Sequence, residues 1–358
     1  MIGTWKISDG YSEILRRFWA DENIVSINEL SFEDSSSLAR EITVLVFSAN
    51  CSESERKQVR KQLALSPDLT TYIFNNNAAD TDLDSVKLDD LFVNEFSWID
   101  SLQIPVVKHC NLNCNRCYHF SNLVSGKEIY RFEDYKRDIA DIKQLTFSIG
   151  EVRFLGGEPL LNDNLLAYIE HMHVMFPYAV LKIVTNGLLI TRLSPQQCAV
   201  LSRLNVIISV SLYAPLHNRF DAIETFLICN GIRYEIFRVG TRFDKILLKN
   251  ADLKNAHKVA DNCEKCVILY NGRIGRCAPG MFISDFNRYF RTDYPEGNEQ
   301  KLEEFRSAKD VLCYLDKEVP LCKWCTGDGQ VESYPWSRSI NIRVEDYIID
   351  NSMFNQGE

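Results

Sequence analysis

Residues 108–118 read Lys-His-Cys-Asn-Leu-Asn-Cys-Asn-Arg-Cys-Tyr, and this stretch decides the fold that we expect of the chain. Its cysteines follow the spacing C-x3-C-x2-C, which places three thiolates on one short loop. Iron–sulfur clusters normally take four cysteine ligands. Three thiolates therefore hold three irons of a [4Fe–4S] cluster and leave the fourth iron open to a small molecule. A zinc knuckle or a set of buried thiols is the alternative, because zinc uses the same residues.

The second motif lies at the end of the next apolar segment. Residues 152–155 (Val-Arg-Phe-Leu) are followed directly by residues 156–159 (Gly-Gly-Glu-Pro). Glycines at a strand end let the backbone approach a ligand closely, and a carboxylate holds an ammonium group by a charge-assisted hydrogen bond. A zinc knuckle needs no such segment, so this motif favours the cluster interpretation.

Together the two motifs resemble those of the radical S-adenosylmethionine (SAM) enzymes. The resemblance implies that Cys110, Cys114 and Cys117 hold the cluster and that SAM binds its open iron through the methionine amine and carboxylate. One electron then cleaves SAM to methionine and a 5′-deoxyadenosyl radical, which abstracts a hydrogen atom from the substrate. Arg116 departs from the family, which often has an aromatic residue at this position. The SAM contacts expected by resemblance are Tyr118, Gly156, Gly157, Glu158, Asn186, Ser209 and Ser211.

Composition narrows the class of protein. The chain has 358 residues, enough for two or three domains, and no run of about eighteen apolar residues that predicts a membrane span. The net charge of −9 argues against nucleic acid as the main partner. Twelve cysteines without a signal-peptide pattern indicate metal ligands in a reducing compartment. We therefore expect a soluble, cytoplasmic protein.

Residues 1–97 predict a small α/β module of unknown role. Residues 42–47 read as a buried strand, 53–65 as an amphipathic helix with Val59, Leu63 and Leu65 on its apolar side, and 71–74 as a second strand. Three asparagines at 75–77 predict a turn. A scaffold or dimer contact is as compatible with this pattern as a substrate-recognition module.

Residues 98–255 alternate strands with helices, which predicts parallel strands joined by right-handed crossovers. The expected fold class is α/β, a partial (β/α)6 barrel of the radical SAM type. Ligands in such folds bind at the carboxyl ends of the strands. Tyr213 and Arg238 lie near two strand ends and are candidate substrate residues, as is His217, although a turn or cap role explains such residues equally well. The predicted strands are residues 104–107, 152–155, 180–184, 206–211 and 234–239.

Residues 256–340 contain a second set of cysteines, and residues 341–358 form a C-terminal tail. A hairpin turning at Asn271-Gly272 would carry Cys266 and Cys277 at its ends, and Cys322 and Cys325 form a CxxC pair. The four thiolates suffice for one auxiliary [4Fe–4S] cluster, and the pattern resembles a twitch domain, the shorter relative of the SPASM domain. A structural zinc site is the alternative. Three other cysteines, Cys51, Cys198 and Cys229, are expected to be core thiols.

Two classes of substrate remain open. The motif series in residues 103–338 resembles a radical SAM subgroup associated with surface-polysaccharide biosynthesis, which implies oxidation or epimerisation of a carbohydrate or nucleotide-sugar. The alternative is a maturase that modifies a ribosomally made peptide. Cys263 and Cys313 are spare cysteines in this scheme and, like Cys229, candidate hydrogen-atom donors for an epimerisation. An electron donor such as flavodoxin or ferredoxin is expected as a partner.

Overall fold

The computed structural model contains two compact units. The first comprises residues 1–100 with 146–150, and the second comprises residues 101–145 with 151–358. The residues that the structure describes are 2–8, 11, 14–15, 24–26, 42, 44–62, 69–80, 86–145, 147–240, 242–254, 256–263, 266–327 and 332–352.

The first unit is built on a five-stranded sheet with strand order β2-β1-β3-β4-β5. The pairs β1–β2, β1–β3 and β3–β4 are parallel, and β5 runs antiparallel to β4. Its strands are β1 (Ile2–Trp5), β2 (Ile24–Ser26), β3 (Val44–Ser48), β4 (Thr70–Phe74) and β5 (Phe92–Asn94). Its helices are α1 (Glu53–Gln62), α2 (Asn76–Ala79) and α3 (Leu88–Leu91).

The core of this unit agrees with the predicted strands and helix. Leu45 and Phe47 of β3 pack with Val59 of α1 in one buried group, whereas the predicted helix positions 63 and 65 lie outside the described residues. The asparagine run does not form the predicted turn. The carbonyl of Asn75 accepts from the backbone N–H groups of Ala78 and Ala79, three and four residues on, and so begins helix α2.

The second unit is built on an eight-stranded sheet with strand order β10-β9-β8-β7-β6-β13-β14-β15. The pairs β7–β8, β8–β9, β9–β10 and β6–β13 are parallel, and β14 runs antiparallel to both β13 and β15. Its strands are β6 (Trp98–Val107), β7 (Ser148–Gly156), β8 (Val180–Thr185), β9 (Ile207–Tyr213), β10 (Arg233–Gly240), β13 (Val267–Tyr270), β14 (Arg273–Gly275) and β15 (Glu299–Lys301).

The predicted alternation of strands and helices is confirmed from β6 to β10. Each of the four connections between these strands contains one α-helix. The first two helices, α4 (Phe132–Gln144) and α5 (Leu165–Met175), each bury one apolar side. Helices α4 to α7 are Phe132–Gln144, Leu165–Met175, Pro195–Arg203 and Phe220–Cys229. Helices α8 to α10 are Ala256–Asn262, Ala278–Phe290 and Ala308–Leu315.

The barrel expectation needs correction. The sheet is mixed, and the described residues contain no closed barrel. On the side of β6 opposite β7, the sheet continues into β13, where Val267 and Ile268 pair with Leu102 and Gln103. The hairpin that was predicted to belong to a separate C-terminal region thus extends the main sheet, because β6 offers it a free edge.

Two small strand pairs bring the end of the chain back to the second unit. Strand β11 (Arg242–Asp244) pairs with β16 (Ser333–Pro335), and β12 (Leu247–Leu248) pairs with β17 (Ile348–Ile349). Among the described helices, none combines the length and apolar character needed to cross a lipid bilayer.

Candidate functional site

The three cysteines of the first motif lie on the loop that follows β6, which we call the cysteine loop (residues 109–118). Asn113 and Arg116 adopt left-handed backbone conformations with φ of +55° and +60°. Such values are uncommon outside glycine, and here they wind the loop tightly. Cys114 packs against Leu112 and Phe243, and Cys110 lies at the edge of the same apolar group.

Burial raises the pKa of all three thiols of the cysteine loop. Burial raises the pKa of Cys110 to about 11, and the charges of Glu158 and Cys117 add to this effect. Burial also raises the pKa of Cys114 to about 12, and Cys117 and Cys110 both contribute. For Cys117 burial again raises the pKa. Cys114 is buried, and Cys110 and Cys117 are half-buried; three such thiols on one loop are a donor set for a metal centre that binds thiolates.

The Gly-Gly-Glu-Pro segment lies directly against the cysteine loop. The N–H of Gly157 donates to the carbonyl of Val107 (2.9 Å), and the N–H of Glu158 donates to the carbonyl of His109 (3.1 Å). A Cβ atom on Gly156, where φ is +127°, would lie 2.0 Å from the Val107 oxygen, and one on Gly157 would lie 2.0 Å from the His109 oxygen. The two glycines are therefore required for the end of β7 to reach the residues before Cys110.

Glu158 is fully buried and connects this segment to the end of β8. Its carboxylate accepts hydrogen bonds from Thr185 Oγ1 (2.7 Å) and from the backbone N–H groups of Asn186 (2.8 Å) and Leu160 (3.1 Å). Burial raises its pKa to about 7, against the lowering effect of these donors. The side chain thus orders the strand ends, and its contact with an ammonium group stays a prediction.

Asn186 carries this connection on to the cysteine loop. Its side-chain N–H group donates to Asn111 Oδ1 (2.8 Å) and lies 3.6 Å from the sulfur of Cys110. The backbone N–H of Leu112 also donates to that sulfur (3.4 Å). Asn186, predicted as a SAM contact, therefore lies beside the first cysteine.

The other predicted SAM contacts take varied positions. Ser209 and Ser211 are buried on β9, and the hydroxyl of Ser209 donates to Glu235 on β10. The hydroxyl of Tyr118 donates to Asp244 Oδ2 (3.2 Å), and the ring is 36% exposed. The hydroxyl proton of Ser209 is thus engaged by Glu235, and in this structure Ser209 links β9 to β10.

The candidate substrate residues also differ in their surroundings. The ring of Tyr213 packs 5.5 Å from that of Phe243, next to the cysteine loop. His217 lies exposed on a turn after β9. Arg238 pairs through its backbone with Ser211, and its side chain lies outside the described part of the chain.

A charged network on the central strands escaped the sequence analysis. Lys182 of β8 bridges Glu151 (2.8 Å) and Glu235 (2.9 Å), and Arg153 pairs with Glu151. The signal available in the sequence was the alternation of charged with apolar residues along β7 and β8, which places the charges on one face.

The second set of cysteines gathers around the β13–β14 hairpin, whose predicted turn is confirmed. Ile268 pairs with Gly275, and this antiparallel register places Cys266 opposite Cys277 just beyond the paired residues. Cys277 caps α9 by accepting from the N–H of Gly280 (3.2 Å), and Cys322 accepts from that of Val319 (3.4 Å). Burial raises the pKa of Cys277, and Cys263, Cys325 and Cys322 all add to the rise.

The two spare cysteines, Cys263 and Cys313, differ in their surroundings. Cys263 lies within electrostatic reach of Cys277, whereas Cys313 is exposed on α10. Cys51 and Cys198 are buried, as predicted for core thiols. Cys229 is exposed instead, because it ends helix α7 on its outer side.

Arg276, next to Cys277, is a further residue that sequence reasoning missed. It is fully buried, and its guanidinium donates to the carbonyls of Ala260 (2.5 Å) and Lys317 (2.6 Å). These two carbonyls belong to α8 and to the chain after α10. Arg276 therefore fixes α8, which leads into Cys263, beside the hairpin.

The two cysteine sets share one donor chemistry, which suits iron–sulfur clusters and zinc alike. Both sets consist of thiols only, the ligands that clusters use. Within the described ranges, no group of three or more His, Cys, Asp or Glu side chains is arranged around one metal ion.

A protein-family model matches the middle of the chain. Residues 104–218 match the model described as the radical SAM superfamily. This segment contains the cysteine loop, the Gly-Gly-Glu-Pro turn and the strand ends from β6 to β9. Residues 104–218 are thus similar to a radical SAM domain.

The curated relatives and solved structures add particular names. The chain is 32% identical over 111 residues to the GTP 3′,8-cyclase of Heliobacterium modesticaldum, covering 30% of this chain and 33% of that one. It is 33% identical over 173 residues to a probable GTP 3′,8-cyclase of Methanothermobacter marburgensis, covering 46% and 53%. The matches thus span between a third and about half of these relatives. Among structures, BtrN in complex with AdoMet and 2-DOIA is 19% identical with a TM-score of 0.42, covering 63% of this chain and 92% of BtrN.

Proposed function

We propose that this chain is a radical SAM enzyme that binds a [4Fe–4S] cluster through Cys110, Cys114 and Cys117. The observation that carries the proposal is the contact between two motifs: the N–H groups of Gly157 and Glu158 donate to the carbonyls of Val107 and His109, just before Cys110. When bound, the cluster supplies one electron for reductive cleavage of SAM to methionine and a 5′-deoxyadenosyl radical, which abstracts a substrate hydrogen atom.

The protein residues position and shield the reactants in this proposal. The two glycines leave room for close approach at the loop, and Glu158 fixes the ends of β7 and β8 through its three donors. Asn186 lies beside Cys110, and its proposed role is to orient a bound SAM molecule. Tyr118, Ser209 and Ser211 remain proposed contacts of the SAM nucleoside.

For the substrate, we propose a small hydroxyl-bearing molecule of the carbohydrate, nucleotide or nucleotide-sugar type. Two of the relatives above are named GTP 3′,8-cyclases, which supports a substrate that contains a sugar ring. Tyr213, packed next to the cysteine loop, and Arg238 are the proposed substrate contacts. A ribosomally made peptide is the competing class, and a flavodoxin or ferredoxin is the proposed electron donor.

We further propose that Cys266, Cys277, Cys322 and Cys325 hold an auxiliary [4Fe–4S] cluster in a twitch-like region. The hairpin register and the capping position of Cys277 support this set. Cys263, whose charge adds to the raised pKa of Cys277, is the proposed alternative to one of these four ligands. Exposed Cys313 is then the remaining proposed hydrogen-atom donor of the C-terminal region.

Iron and sulfide analysis of anaerobically reconstituted protein tests both clusters. We expect about eight irons in the wild type and about four in a Cys110/Cys114/Cys117→Ala variant, because each cluster holds four. A Cys322/Cys325→Ala variant should also fall to about four, and the buried-thiol control Cys198→Ala should keep about eight. Only the first variant should lose 5′-deoxyadenosine formation from SAM. Retained cleavage in that variant contradicts the proposal, and zinc at the second set contradicts the auxiliary cluster.

Substrate class is tested by the same product. 5′-Deoxyadenosine is measured with SAM and dithionite in the presence of GTP, nucleotide-sugars or short peptides. Stimulation by a sugar-containing compound, with deuterium transfer from a labelled ring carbon, supports the proposal. Stimulation by peptides alone assigns the chain to the maturase class instead.

A further inference from the structure

The end of the chain folds back over the cysteine loop. We call residues 332–347 the C-terminal segment. The N–H of Asn115 donates to the carbonyl of Ser337 (2.9 Å), and the N–H of Ser339 donates to the carbonyl of Asn113 (2.8 Å). The side chain of Asn113 donates in addition to the Ser339 carbonyl (3.1 Å), and Cys114 forms a β-bridge with Arg338. The residues on both sides of Cys114 are thus hydrogen-bonded to the C-terminal segment.

Arg116 adds a second connection between the same two stretches. Its guanidinium stacks 4.1 Å above the ring of Tyr334, and its Nη2 atom lies 3.4 Å from Asp346 Oδ1. The side chain is buried although it sits between two cysteines. Arg116, the departure from the family pattern, thus directs its side chain to the C-terminal segment.

Trp336 brings the segment to a cysteine sulfur. Its indole N–H donates to Cys114 Sγ (3.1 Å), and its ring packs with Leu112 and Phe243. Cys114 is only 8% exposed. The Trp336 side chain therefore both packs beside Cys114 and donates a hydrogen bond to its sulfur.

We propose that the C-terminal segment forms a wall of the first cluster site and that Trp336 is a positioning residue that raises the reduction potential of that cluster. The proposal rests on the proposed function. A hydrogen bond to a thiolate sulfur stabilises added negative charge, and such bonds, with solvent exposure, set cluster potentials. The reduced cluster carries one electron more than the oxidised one, so losing the bond disfavours reduction.

Three variants separate the two effects of the indole. Trp336→Phe keeps a ring but loses the N–H, Trp336→Ala loses both, and Ile340→Ala changes a residue of the same segment that is 86% exposed. The first readout is the midpoint potential of the reconstituted cluster, measured by EPR during dithionite titration in the Cys322/Cys325→Ala background. The second is the rate of Cys114 alkylation in the iron-free protein, measured by peptide mass spectrometry with Cys198 as internal reference.

We expect Trp336→Phe to shift the potential to more negative values, so that a several-fold smaller fraction is reduced at a fixed potential. Trp336→Ala should shift it likewise and should also speed Cys114 alkylation several-fold, while Ile340→Ala changes neither. An unchanged potential in Trp336→Phe overturns the electronic role, and an unchanged alkylation rate in Trp336→Ala overturns the wall. Alkylation needs no cluster, so it decides on the wall even in a variant that fails to load iron. Wild-type protein that binds no cluster refutes the proposed function instead.

Discussion

Glu158 illustrates at the scale of one residue how a buried carboxylate serves the site. Burial raises the pKa of Glu158 to about 7 in the folded chain. Between about pH 4.5 and 7, the Glu158 carboxyl is therefore protonated in the folded chain and ionised in the unfolded chain. Folding therefore binds a proton in this window, and stability falls as the pH rises through it. At 1.36 kcal/mol per pKa unit, the loss is on the order of 3 kcal/mol.

We predict that Glu158→Gln removes this part of the pH dependence. Urea unfolding of iron-free protein at pH 5 and pH 8 should show a smaller difference for the variant than for the wild type. Glu133→Gln serves as the control, since that side chain is 72% exposed. If the unfolding free energy changes equally between pH 5 and pH 8 in wild type and Glu158→Gln, the Glu158 carboxyl ionises alike in the folded and unfolded chains.

Gly157 offers a steric test of the contact between the two motifs. Its added Cβ would lie 2.0 Å from the His109 oxygen, whereas a Cβ on Gly126 meets nothing within 4 Å despite a φ of +92°. We predict that Gly157→Ala costs at least about 3 kcal/mol in unfolding free energy, by overpacking against backbone, and lowers iron loading. Gly126→Ala should cost only about 1 kcal/mol, for its left-handed backbone. Equal urea midpoints for the two variants would contradict this.

Sequence distance explains which site residues could be predicted. Cys110, Cys114 and Cys117 are recognisable because their spacing is local. Trp336 meets Cys114 across 222 positions, and no local pattern encodes that contact. The role of Arg276 could not be predicted for a similar reason. Its partners are backbone carbonyls, which every residue has and which leave no signal in the sequence.

At the scale of elements, one buried ion pair joins the end of β6 to α9. Lys108 Nζ lies 2.6 Å from Asp285 Oδ2, and the two side chains are 11% and 3% exposed. Each partner has a second ion pair, Lys108 with Glu128 (3.0 Å) and Asp285 with Arg288 (2.7 Å). Removing one partner therefore leaves the other only partly compensated, and the cost lies at the low end for a buried pair, about 3 kcal/mol. This pair fixes the strand that leads into the cysteine loop.

We predict that Lys108→Met and Asp285→Asn are each destabilising by about 3 kcal/mol and that the double variant loses less than their sum by more than about 1 kcal/mol. A surface pair, Lys301 and Glu303, is the control, with side chains 49% and 74% exposed. Removing it should change the unfolding free energy by less than about 1 kcal/mol. Additive losses at Lys108 and Asp285 would mean that the pair does not couple β6 to α9.

The spacing of apolar residues predicted the alternating strands and helices of the second unit well, but it did not predict the order of the strands in its sheet. The apolar positions of α4, such as Tyr135 and Ile139, are buried as their spacing indicates. The pairing of β13 with β6 was not predictable, because it joins residues from different predicted regions. A hairpin signal fixes its own register through its turn, but not the edge to which it adds.

At the scale of the whole molecule, both cysteine sets belong to the second unit. The first unit, residues 1–100 with 146–150, contains a single cysteine, Cys51. The cysteine loop, the hairpin and the C-terminal segment are parts of one fold, since β6 leads into the loop and pairs with β13. Iron binding at either set should therefore stabilise the second unit.

We predict that chelation of iron under anaerobic conditions lowers the thermal midpoint by about 10 °C, since a group bound only by the folded state stabilises it and each kcal/mol corresponds to about 2–4 °C in a domain of this size. Hydrogen exchange read by mass spectrometry should show where the stability is lost. Peptides from residues 108–123 and 266–280 should lose protection, whereas β3 of the first unit, Val44–Ser48, should keep it. In the Cys110/Cys114/Cys117→Ala variant, chelation should affect only the second of these peptides. Equal losses in β3 would mean that chelation acts on the whole chain rather than through the two cysteine sets.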